Sequence, residues 1–311
     1  TGRRTCPKKT PFPLLENKVI GQFSDEVYGQ IFGDGNSVES IFELQHDQTV
    51  NPHGAIQTLY GYQGVNMVLG YLGGSTIVQS LDSKSDPTTN LYAQTDVRYV
   101  ESIYYKQLKG SDQTDNYQVI KYVAGGLNVV NAKNVHKQDG DQPNVVYSGL
   151  ATDGHNGSNW ILYRVSDVML MKAEALAFLY PDESPELSTA FKLVQAIYDR
   201  SNPGMESKDY LSEESYKTAQ GMQELVMRER HREFFGEGKR WYDLLRQARR
   251  DGTTEIVRVW VTGKMNTTTT ASFPSMDALY WPYNKRELKV NPYLKQKGIY
   301  ASEASDEFEM N

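Results

Sequence analysis

Long apolar runs and cysteine are both scarce in this chain of 311 residues. No stretch of about 18 apolar residues occurs, so no transmembrane helix is predicted. Cys6 is the single cysteine, which excludes an internal disulfide framework and a cluster of thiolate metal ligands. Positive charge is not in excess either, since 33 Lys and Arg stand against 39 Asp and Glu. Binders of nucleic acid or anionic membranes are normally basic, so neither partner is predicted.

The sequence motifs of several common enzyme classes are absent. The chain has no G-x-x-x-x-G-K-[ST] phosphate loop, no G-x-G-x-x-G after a predicted strand and no G-x-S-x-G nucleophile turn. The five histidines are His46, His53, His136, His155 and His231. None lies three or four residues from another ligand residue on a predicted helix, which argues against a zinc site. We therefore predict no catalytic residue, no bound metal and no cofactor.

Periodicity divides the chain into three regions. Residues 1–160 are rich in loops with short strand-like stretches, residues 161–250 have helical periodicity, and residues 251–311 return to irregular structure. Short strands are predicted for residues 38–45, 97–105, 117–123 and 255–261. The helical region is therefore expected to form the core.

Within the helical region, apolar residues at i, i+3 and i+4 predict helices separated by turn residues. Pro181 ends the first helix, and Pro185 occupies the first position of the second. A third helix is predicted over residues 213–235, and two glycines separate it from a fourth over residues 239–250. Two consecutive helix pairs resemble a tetratricopeptide-type arrangement.

Charged residues are densest in residues 228–246, where their signs alternate around a glycine break. Glu229 and Glu233 lie four residues apart and share one helix face. A paired-carboxylate active site is one interpretation, but nearby arginines lower the pKa of a carboxyl group, which then makes a poor general acid. We therefore favour a structural ion-pair network, with the predicted members Glu229, Arg230, Glu233, Glu237, Arg240, Asp243 and Arg246.

Several motifs follow one another along the chain. They are Glu39-Ser-Ile-Phe-Glu-Leu-Gln45, Asp96-Val-Arg98, Arg164-x-x-Asp167 followed by Ala173-Glu-Ala175, Glu229-Arg-x-x-Glu233-x-x-x-Glu237-Gly-x-Arg240-x-x-Asp243-Leu-x-Arg246, and Trp281-Pro-x-x-x-x-Glu287-Leu-x-x-Asn291-Pro. Over residues 38–300, their order and spacing resemble the C-terminal part of the SusD/RagB family of nutrient-binding outer-membrane lipoproteins. The resemblance implies a mainly α fold, a SusD-like α-superhelix of tetratricopeptide-like helix pairs with long irregular loops and a few short strands.

The resemblance also implies one SusD-like domain over residues 1–311. The N-terminal half of the family, with its signal peptide, lipidated cysteine and first helix repeats, has no counterpart in this sequence. Cys6 does not match the lipid-bearing position, because Arg3-Arg4-Thr5 does not supply the small or apolar residues expected before it. The chain is thus expected to be a fragment or a shortened family member.

In function, the resemblance implies a non-catalytic protein of the outer-membrane cell surface. Its expected ligand is an oligo- or polysaccharide, or in some members a peptide, which it passes to a SusC-like TonB-dependent transporter. A helical-repeat scaffold that mainly binds this transporter is the alternative. A glycoside hydrolase would need two opposed carboxyl groups with different pKa values, and the arginine-rich cluster argues against that.

Tyrosine is enriched, at 21 residues against 10 Phe and 4 Trp. A tyrosine ring offers an apolar face to the C–H groups of a sugar and a polar tip to its hydroxyl groups. The candidate carbohydrate-binding residues, in glycine-rich or polar loops, are Tyr60, Tyr62, Tyr71 and Tyr92. Packing of each ring against its own loop is the alternative interpretation. Trp160, Trp241 and Trp281 are instead predicted to pack within the structure.

Overall fold

The computed structural model describes residues 27–47, 49–53, 91–107, 115–119, 121–122, 124–129, 138–139, 142–143, 145–150, 157–203, 205–206, 210–262 and 272–300. The chain divides into two compact units, Thr1–Gly238 and Lys239–Asn311, called the first and the second unit. The fold is mainly α, as predicted, with short antiparallel strand pairs. A single domain over residues 1–311 stays a prediction.

Short antiparallel strand pairs form the β structure of the first unit. The strands are β1 (Ser40–Leu44), β2 (Ile103–Gln107), β3 (Asp115–Val119), β4 (Ala124–Val129), β5 (Gln138–Asp139), β6 (Gln142–Pro143), β7 (Val145–Leu150) and β8 (Trp160–Arg164). β1 pairs with β8, β2 with β3, β4 with β7 and β5 with β6. In the β1–β8 pair, Phe42 lies opposite Tyr163 and Leu44 lies opposite Trp160. This pair joins two segments that are far apart in the sequence.

The strand predictions in the first unit have mixed outcomes. β1 confirms the strand predicted for residues 38–45. β3 overlaps the strand predicted for residues 117–123 only at residues 117–119, because residues 121–122 form a turn. Residues 97–105 instead begin with a helical turn, α1 (Arg98–Ser102), before β2. The carboxylate of Asp96 accepts a hydrogen bond from the backbone N–H of Arg98 at 3.1 Å. This local bond favours the turn over the extended backbone that the alternating apolar pattern predicts.

Helices α2 (Val165–Leu179), α3 (Pro185–Ser201) and α4 (Ala219–Glu233) supply the core of the first unit. The hydroxyl of Ser184 accepts from the backbone N–H of Leu187 at 3.3 Å and caps α3, as expected for a helix with proline in its first turn. The buried core residues are Val165, Met169, Leu170, Ala173, Ala177, Leu187, Ala190, Phe191, Val194, Ile197, Met222, Leu225, Val226 and Phe234.

Helix α4 begins later than the sequence predicts. Glu213–Tyr216 forms a separate 3₁₀ turn, and the helix itself starts after Thr218. The hydroxyl of Thr218 accepts from the backbone N–H of Gly221 at 3.0 Å, so this side chain caps the helix. The predicted helix over residues 213–235 is therefore correct in type and too long at both ends.

The second unit contains α5 (Arg240–Asp251), α6 (Glu255–Thr262) and α7 (Lys285–Val290). Its small core consists of Leu244, Ala248, Val257 and Leu279. The strand predicted for residues 255–261 is wrong, because these residues belong to α6. Their β-branched side chains favour a strand, but packing of Val257 into the core outweighs that preference.

The helices bury one face and expose another. In α3, for example, Phe191 and Val194 are buried while Lys192 is exposed.

Among the described residues, no helix combines the length and the apolar character that crossing a bilayer requires.

Candidate functional site

Glu233, at the end of α4, is the centre of a buried ion-pair network in the first unit. Its Oε1 accepts from Arg164 Nη1 and Arg200 Nη2, each at 2.5 Å. Its Oε2 accepts from Arg98 Nη1 at 3.0 Å and from the hydroxyl of Tyr28 at 3.2 Å. Burial acts to raise the pKa of Glu233, but the arginines outweigh it and hold that pKa well below its usual value.

Arg98 links the Asp96-Val97-Arg98 motif to α4. Its guanidinium forms a bidentate pair with Asp96, with Nε–Oδ1 at 2.9 Å and Nη2–Oδ2 at 2.7 Å. Nη1 also donates to Glu229 Oε1 at 2.6 Å. Glu229 and Glu233 thus turn the same helix face towards one arginine, as their spacing predicts.

Glu237 brings a lysine into the same network. Arg164 donates to both of its carboxylate oxygens, from Nη2 at 2.8 Å and from Nε at 3.2 Å. Lys121 Nζ donates to Glu237 Oε1 at 2.6 Å and to the backbone carbonyls of Glu233 at 2.8 Å and Phe235 at 3.2 Å. Burial lowers the pKa of Lys121 to about 8, although Glu237 acts in the opposite direction.

The turn after α4 places these acceptors around the lysine. Gly236 and Gly238 have φ angles of 76° and 74°, in the left-handed region that favours glycine. The predicted interruption of the helix at these glycines is therefore confirmed, and it returns Glu237 towards the first unit's core.

Further ion pairs extend the network outwards. Arg200 donates to Glu39 at 2.5 Å, and Arg230 donates to Asp167 at 2.9 Å. Glu39 belongs to the first motif of the sequence, so residues from each motif of the first unit meet here. These side chains are all buried and bonded to one another, which suits a structural role. Among them there is no opposed carboxyl pair of the kind that a glycosidase uses.

The predicted network members divide between the two units. Glu229, Arg230, Glu233 and Glu237 lie in the buried network described above. In the second unit, Arg246 Nη2 lies 2.9 Å from Asp243 Oδ1, and the guanidinium of Arg240 lies 4.2 Å from the centre of the Trp260 ring.

Sequence reasoning places Glu39, Asp96, Arg98, Arg164 and Asp167 in motifs but not in the network, and it misses Lys121 and Arg200 altogether. Their partners are distant along the chain, so no local spacing reveals the pairs. For Arg200 one signal exists, because it lies near buried Ile197 on α3, where a solvated charge would not be expected.

The structure gives unequal information on the candidate sugar-binding tyrosines. Tyr60, Tyr62 and Tyr71 lie outside the described residues. Tyr92 is only 1% exposed, and its hydroxyl donates to the backbone carbonyl of Arg232 at 3.0 Å. Because this ring is packed in the first unit's core, it has no face open to a sugar, which argues against the predicted contact.

An exposed aromatic pair lies on the β1–β8 sheet. Phe42 and Tyr163 are each 51% exposed and lie opposite each other in the register. Register irregularities flank this pair, between Ser40 and Phe42 and between Phe42 and Glu43. The next residue after Tyr163, Arg164, is buried in the ion-pair network. This network therefore anchors β8, the strand that carries Tyr163. Phe42 and Tyr163 are called the β1–β8 aromatic pair.

A second group of rings lies at the other end of β8. The half-buried Trp160 is stacked on Tyr122 with centroids 5.2 Å apart, and His53 lies 5.7 Å from it. His46 lies 4.1 Å from His53. Burial, with a contribution from His46, lowers the pKa of His53, so this histidine is neutral near pH 7. The backbone N–H of His46 donates to Asn159 Oδ1 at 2.9 Å, and the side-chain amides of Asn36 and Gln45 bond each other in both directions at 2.9 Å.

The tryptophan predictions also differ in outcome. Trp241, predicted to be in the core, is 37% exposed. Trp281, predicted to pack, is 88% exposed, because the second unit holds its backbone carbonyl through Lys297 and leaves the ring in solvent. No group of three or more His, Cys, Asp or Glu side chains in the described part of the chain is arranged to hold a metal ion.

Comparisons with known proteins agree with the motif order. A family model described as the SusD family matches residues 35–300. SusD-like protein P38 from Formosa agariphila is 31% identical over 144 residues, which are 46% of this chain and 25% of that protein. A SusD superfamily protein from Bacteroides fragilis superposes with a TM-score of 0.53 at 17% identity, over 87% of this chain and 54% of that one.

Surface glycan-binding protein A from Bacteroides thetaiotaomicron gives a TM-score of 0.52 at 19% identity, again over 87% of this chain and 54% of that protein. The chain therefore spans about half the length of these solved relatives, and its match to the curated relative covers a quarter of that protein. With the family pattern matched over most of its length, the chain belongs to the SusD family.

Proposed function

We propose that this chain is a non-catalytic glycan-binding protein of the outer-membrane cell surface. In this proposal it captures an oligo- or polysaccharide and delivers it to a SusC-like TonB-dependent transporter. Membership of the SusD family over residues 35–300 carries the proposal. One relative with the same fold is described as a surface glycan-binding protein, which is consistent with it.

The β1–β8 aromatic pair supplies a physical basis for sugar binding. Phe42 and Tyr163 lie opposite each other in the strand pair, and both rings are exposed, while the neighbouring Arg164 is held in the buried network. Flat rings held in this way offer apolar area to the C–H faces of sugars at little cost in side-chain entropy. We propose this pair as a glycan contact, and Tyr60, Tyr62 and Tyr71 remain proposed contacts from the sequence.

The charge chemistry of the buried ion-pair network supports a non-catalytic role. A retaining or inverting glycosidase needs one carboxylic acid with a raised pKa. The pKa of Glu233 is instead held well below its usual value by three buried arginines. Its proton is therefore unavailable at neutral pH.

Calorimetric titration with neutral and acidic polysaccharides tests the proposal, with reducing ends assayed in the same samples. We expect binding of at least one polysaccharide without new reducing ends. Phe42→Ala and Tyr163→Ala are each expected to weaken it by about three- to tenfold. Phe178→Ala, an exposed aromatic change on α2, is the matched control and should leave affinity unchanged. New reducing ends, or no binding by any polysaccharide, would overturn the proposal.

Delivery to a transporter needs a separate test. The tagged chain, expressed in its source bacterium and isolated under mild detergent, is expected to retain a TonB-dependent outer-membrane protein. Retention combined with no glycan affinity would favour the scaffold alternative. Loss of the transporter at all detergent strengths, with glycan binding intact, would contradict the delivery step alone.

A further inference from the structure

The segment of residues 281–300 in the second unit is basic, although the chain as a whole is acidic. Its charged residues are Lys285, Arg286, Glu287, Lys289, Lys295 and Lys297. Five of these are basic and one is acidic, a net charge of +4 in a chain of net charge −6. Positive charge is therefore concentrated in a short part of the sequence. The surface formed by residues 281–300 is called the C-terminal basic surface.

Two aromatic rings on the C-terminal basic surface lie almost entirely in solvent. Trp281 is 88% exposed and Tyr293 is 92% exposed. A large ring stabilises the fold when it is buried, and an exposed ring forgoes that contribution. Two exposed rings in neighbouring motifs therefore suggest that a ligand covers them.

The turn that carries Trp281 is braced by hydrogen bonds. The side-chain amide of Gln296 bonds both the backbone N–H and the carbonyl of Tyr283, each at 3.1 Å. Lys297 Nζ donates to the carbonyl of Trp281 at 2.6 Å and lies 5.0 Å from the centres of the Tyr280 and Tyr283 rings. These bonds link residues 280–283 to residues 296–297, so the exposed ring projects from a fixed backbone.

A second turn of this surface carries Tyr293, and exposed cations lie close to it in the sequence. The side chain of Asn291 accepts from the backbone N–H of Tyr293 at 3.1 Å, which fixes the second turn. Arg286, Lys289 and Lys295 are exposed, and none of them forms an ion pair with a described residue of the second unit. Because these three side chains are exposed, an anionic ligand can reach their charged groups.

We propose that the C-terminal basic surface is a binding subsite for an anionic polysaccharide, one that carries carboxylate or sulfate groups. This inference rests on the proposed glycan-binding function and names the class of glycan. Exposed rings match the C–H faces of sugar units, and lysine and arginine side chains match their acidic groups. A neutral glycan would offer no acidic group to Arg286, Lys289 or Lys295.

The net charge of +4 belongs to residues 281–300 alone, because the sequence continues with Glu303, Asp306, Glu307 and Glu309 and no further basic residue. The charge argument therefore rests on the exposed side chains of Arg286, Lys289 and Lys295. An anionic membrane is a less suitable partner, because interfacial helices need a broad apolar face. Helix α7 has only the six residues Lys285–Val290, of which two are apolar.

Titration of the full chain with oligogalacturonate and chondroitin sulfate oligosaccharides tests the subsite, with laminarin oligosaccharides as the neutral probe. We expect binding of at least one anionic probe, weakened about tenfold by Trp281→Ala and by the double change Lys289→Gln, Lys295→Gln. Tyr293→Ala should act in the same direction. Tyr242→Ala and Arg249→Gln, exposed changes on α5 of the same unit, are the matched controls and should leave affinity unchanged.

Four outcomes would overturn the subsite. The first is anionic binding that the four named residue changes leave intact. The second is binding of laminarin alone, reduced by Phe42→Ala but not by Trp281→Ala, in which case the proposed function stands without this subsite. The third is stronger retention by vesicles of phosphatidylglycerol than by any anionic oligosaccharide, which would point to a membrane surface. The fourth is the absence of binding by every oligosaccharide tested, which would overturn both this proposal and the proposed function.

Discussion

At the scale of single residues, the Glu233 carboxylate has four side-chain partners in the buried network. Three arginines and a tyrosine hydroxyl share its two oxygens. A buried ion pair adds little net stability relative to apolar packing, yet removing one partner leaves the others with uncompensated charge. Glu233 is therefore a position where a nearly isosteric change should have a large effect.

Glu233→Gln is expected to lower the free energy of unfolding by about 3 kcal/mol or more, because buried arginines lose their countercharge. Tyr28→Phe, which removes one neutral donor, should cost only about 1 kcal/mol. Urea denaturation followed by circular dichroism measures both. Glu224→Gln, an exposed change on the same helix, is the control and should stay within about 0.5 kcal/mol. Equal effects of the two glutamate changes would contradict the network.

The same carboxylate predicts acid sensitivity. Because the folded pKa of Glu233 lies well below the value of 4.5 expected without these contacts, its contribution to stability is present above that pH. The contribution is lost as pH falls below 4.5 towards the folded pKa. Denaturation midpoints measured from neutral to acidic pH should fall less steeply for Glu233→Gln than for the wild type. Parallel curves would show that Glu233 does not contribute.

The pKa of Lys121 predicts how stability changes at alkaline pH. Its folded pKa of about 8 lies below the ordinary value of 10.5, so the folded state gives up this proton first. Between these two values, the unfolded state binds more protons and stability from this group rises with pH. Lys121→Met should remove that alkaline rise. A carbon-13 NMR titration of the Lys121 side chain gives the folded pKa directly, and an ordinary value would contradict the prediction.

At the scale of elements, helix ends and turns decide which predictions from the sequence succeed. The Ser184 cap and Pro185 mark the start of α3 in the sequence, and the structure has the helix there. The helix over residues 255–261 has no such signal, since its β-branched residues favour a strand and only packing reverses them. Tertiary contacts of this kind are not visible in local periodicity.

The turn after α4 gives a prediction at this scale. Gly236 has a φ of 76°, so Gly236→Ala is expected to cost about 1–2 kcal/mol through backbone strain. The strain falls on the turn that directs Glu237 to Lys121 and Arg164. Thermal unfolding measures the loss. Gly33→Ala is the control, because Gly33 has no positive φ and an added methyl group meets nothing within 4 Å there. This change should be neutral or stabilise the fold by up to about 1 kcal/mol.

At the scale of the whole molecule, the charges of the described residues fall into two classes. In the first unit, residues of the sequence motifs are buried and paired, and their motif order allowed the family to be identified. Their pairing across distant segments, such as Arg200 with Glu39, could not be predicted because it depends on how helices and strands come together. In the second unit, the C-terminal basic surface presents exposed cations.

These two classes should respond differently to salt. Buried pairs are screened little by mobile ions, whereas exposed cations that contact a ligand are screened strongly. Raising NaCl from about 50 mM to about 500 mM is therefore expected to weaken binding of an anionic oligosaccharide roughly tenfold while the urea midpoint hardly changes. Urea is uncharged, so both quantities can be measured in the same buffers. The double change Lys289→Gln, Lys295→Gln should flatten the salt dependence of binding and leave the midpoint alone. Affinity that is equally insensitive to salt would show that the exposed cations do not contact the ligand.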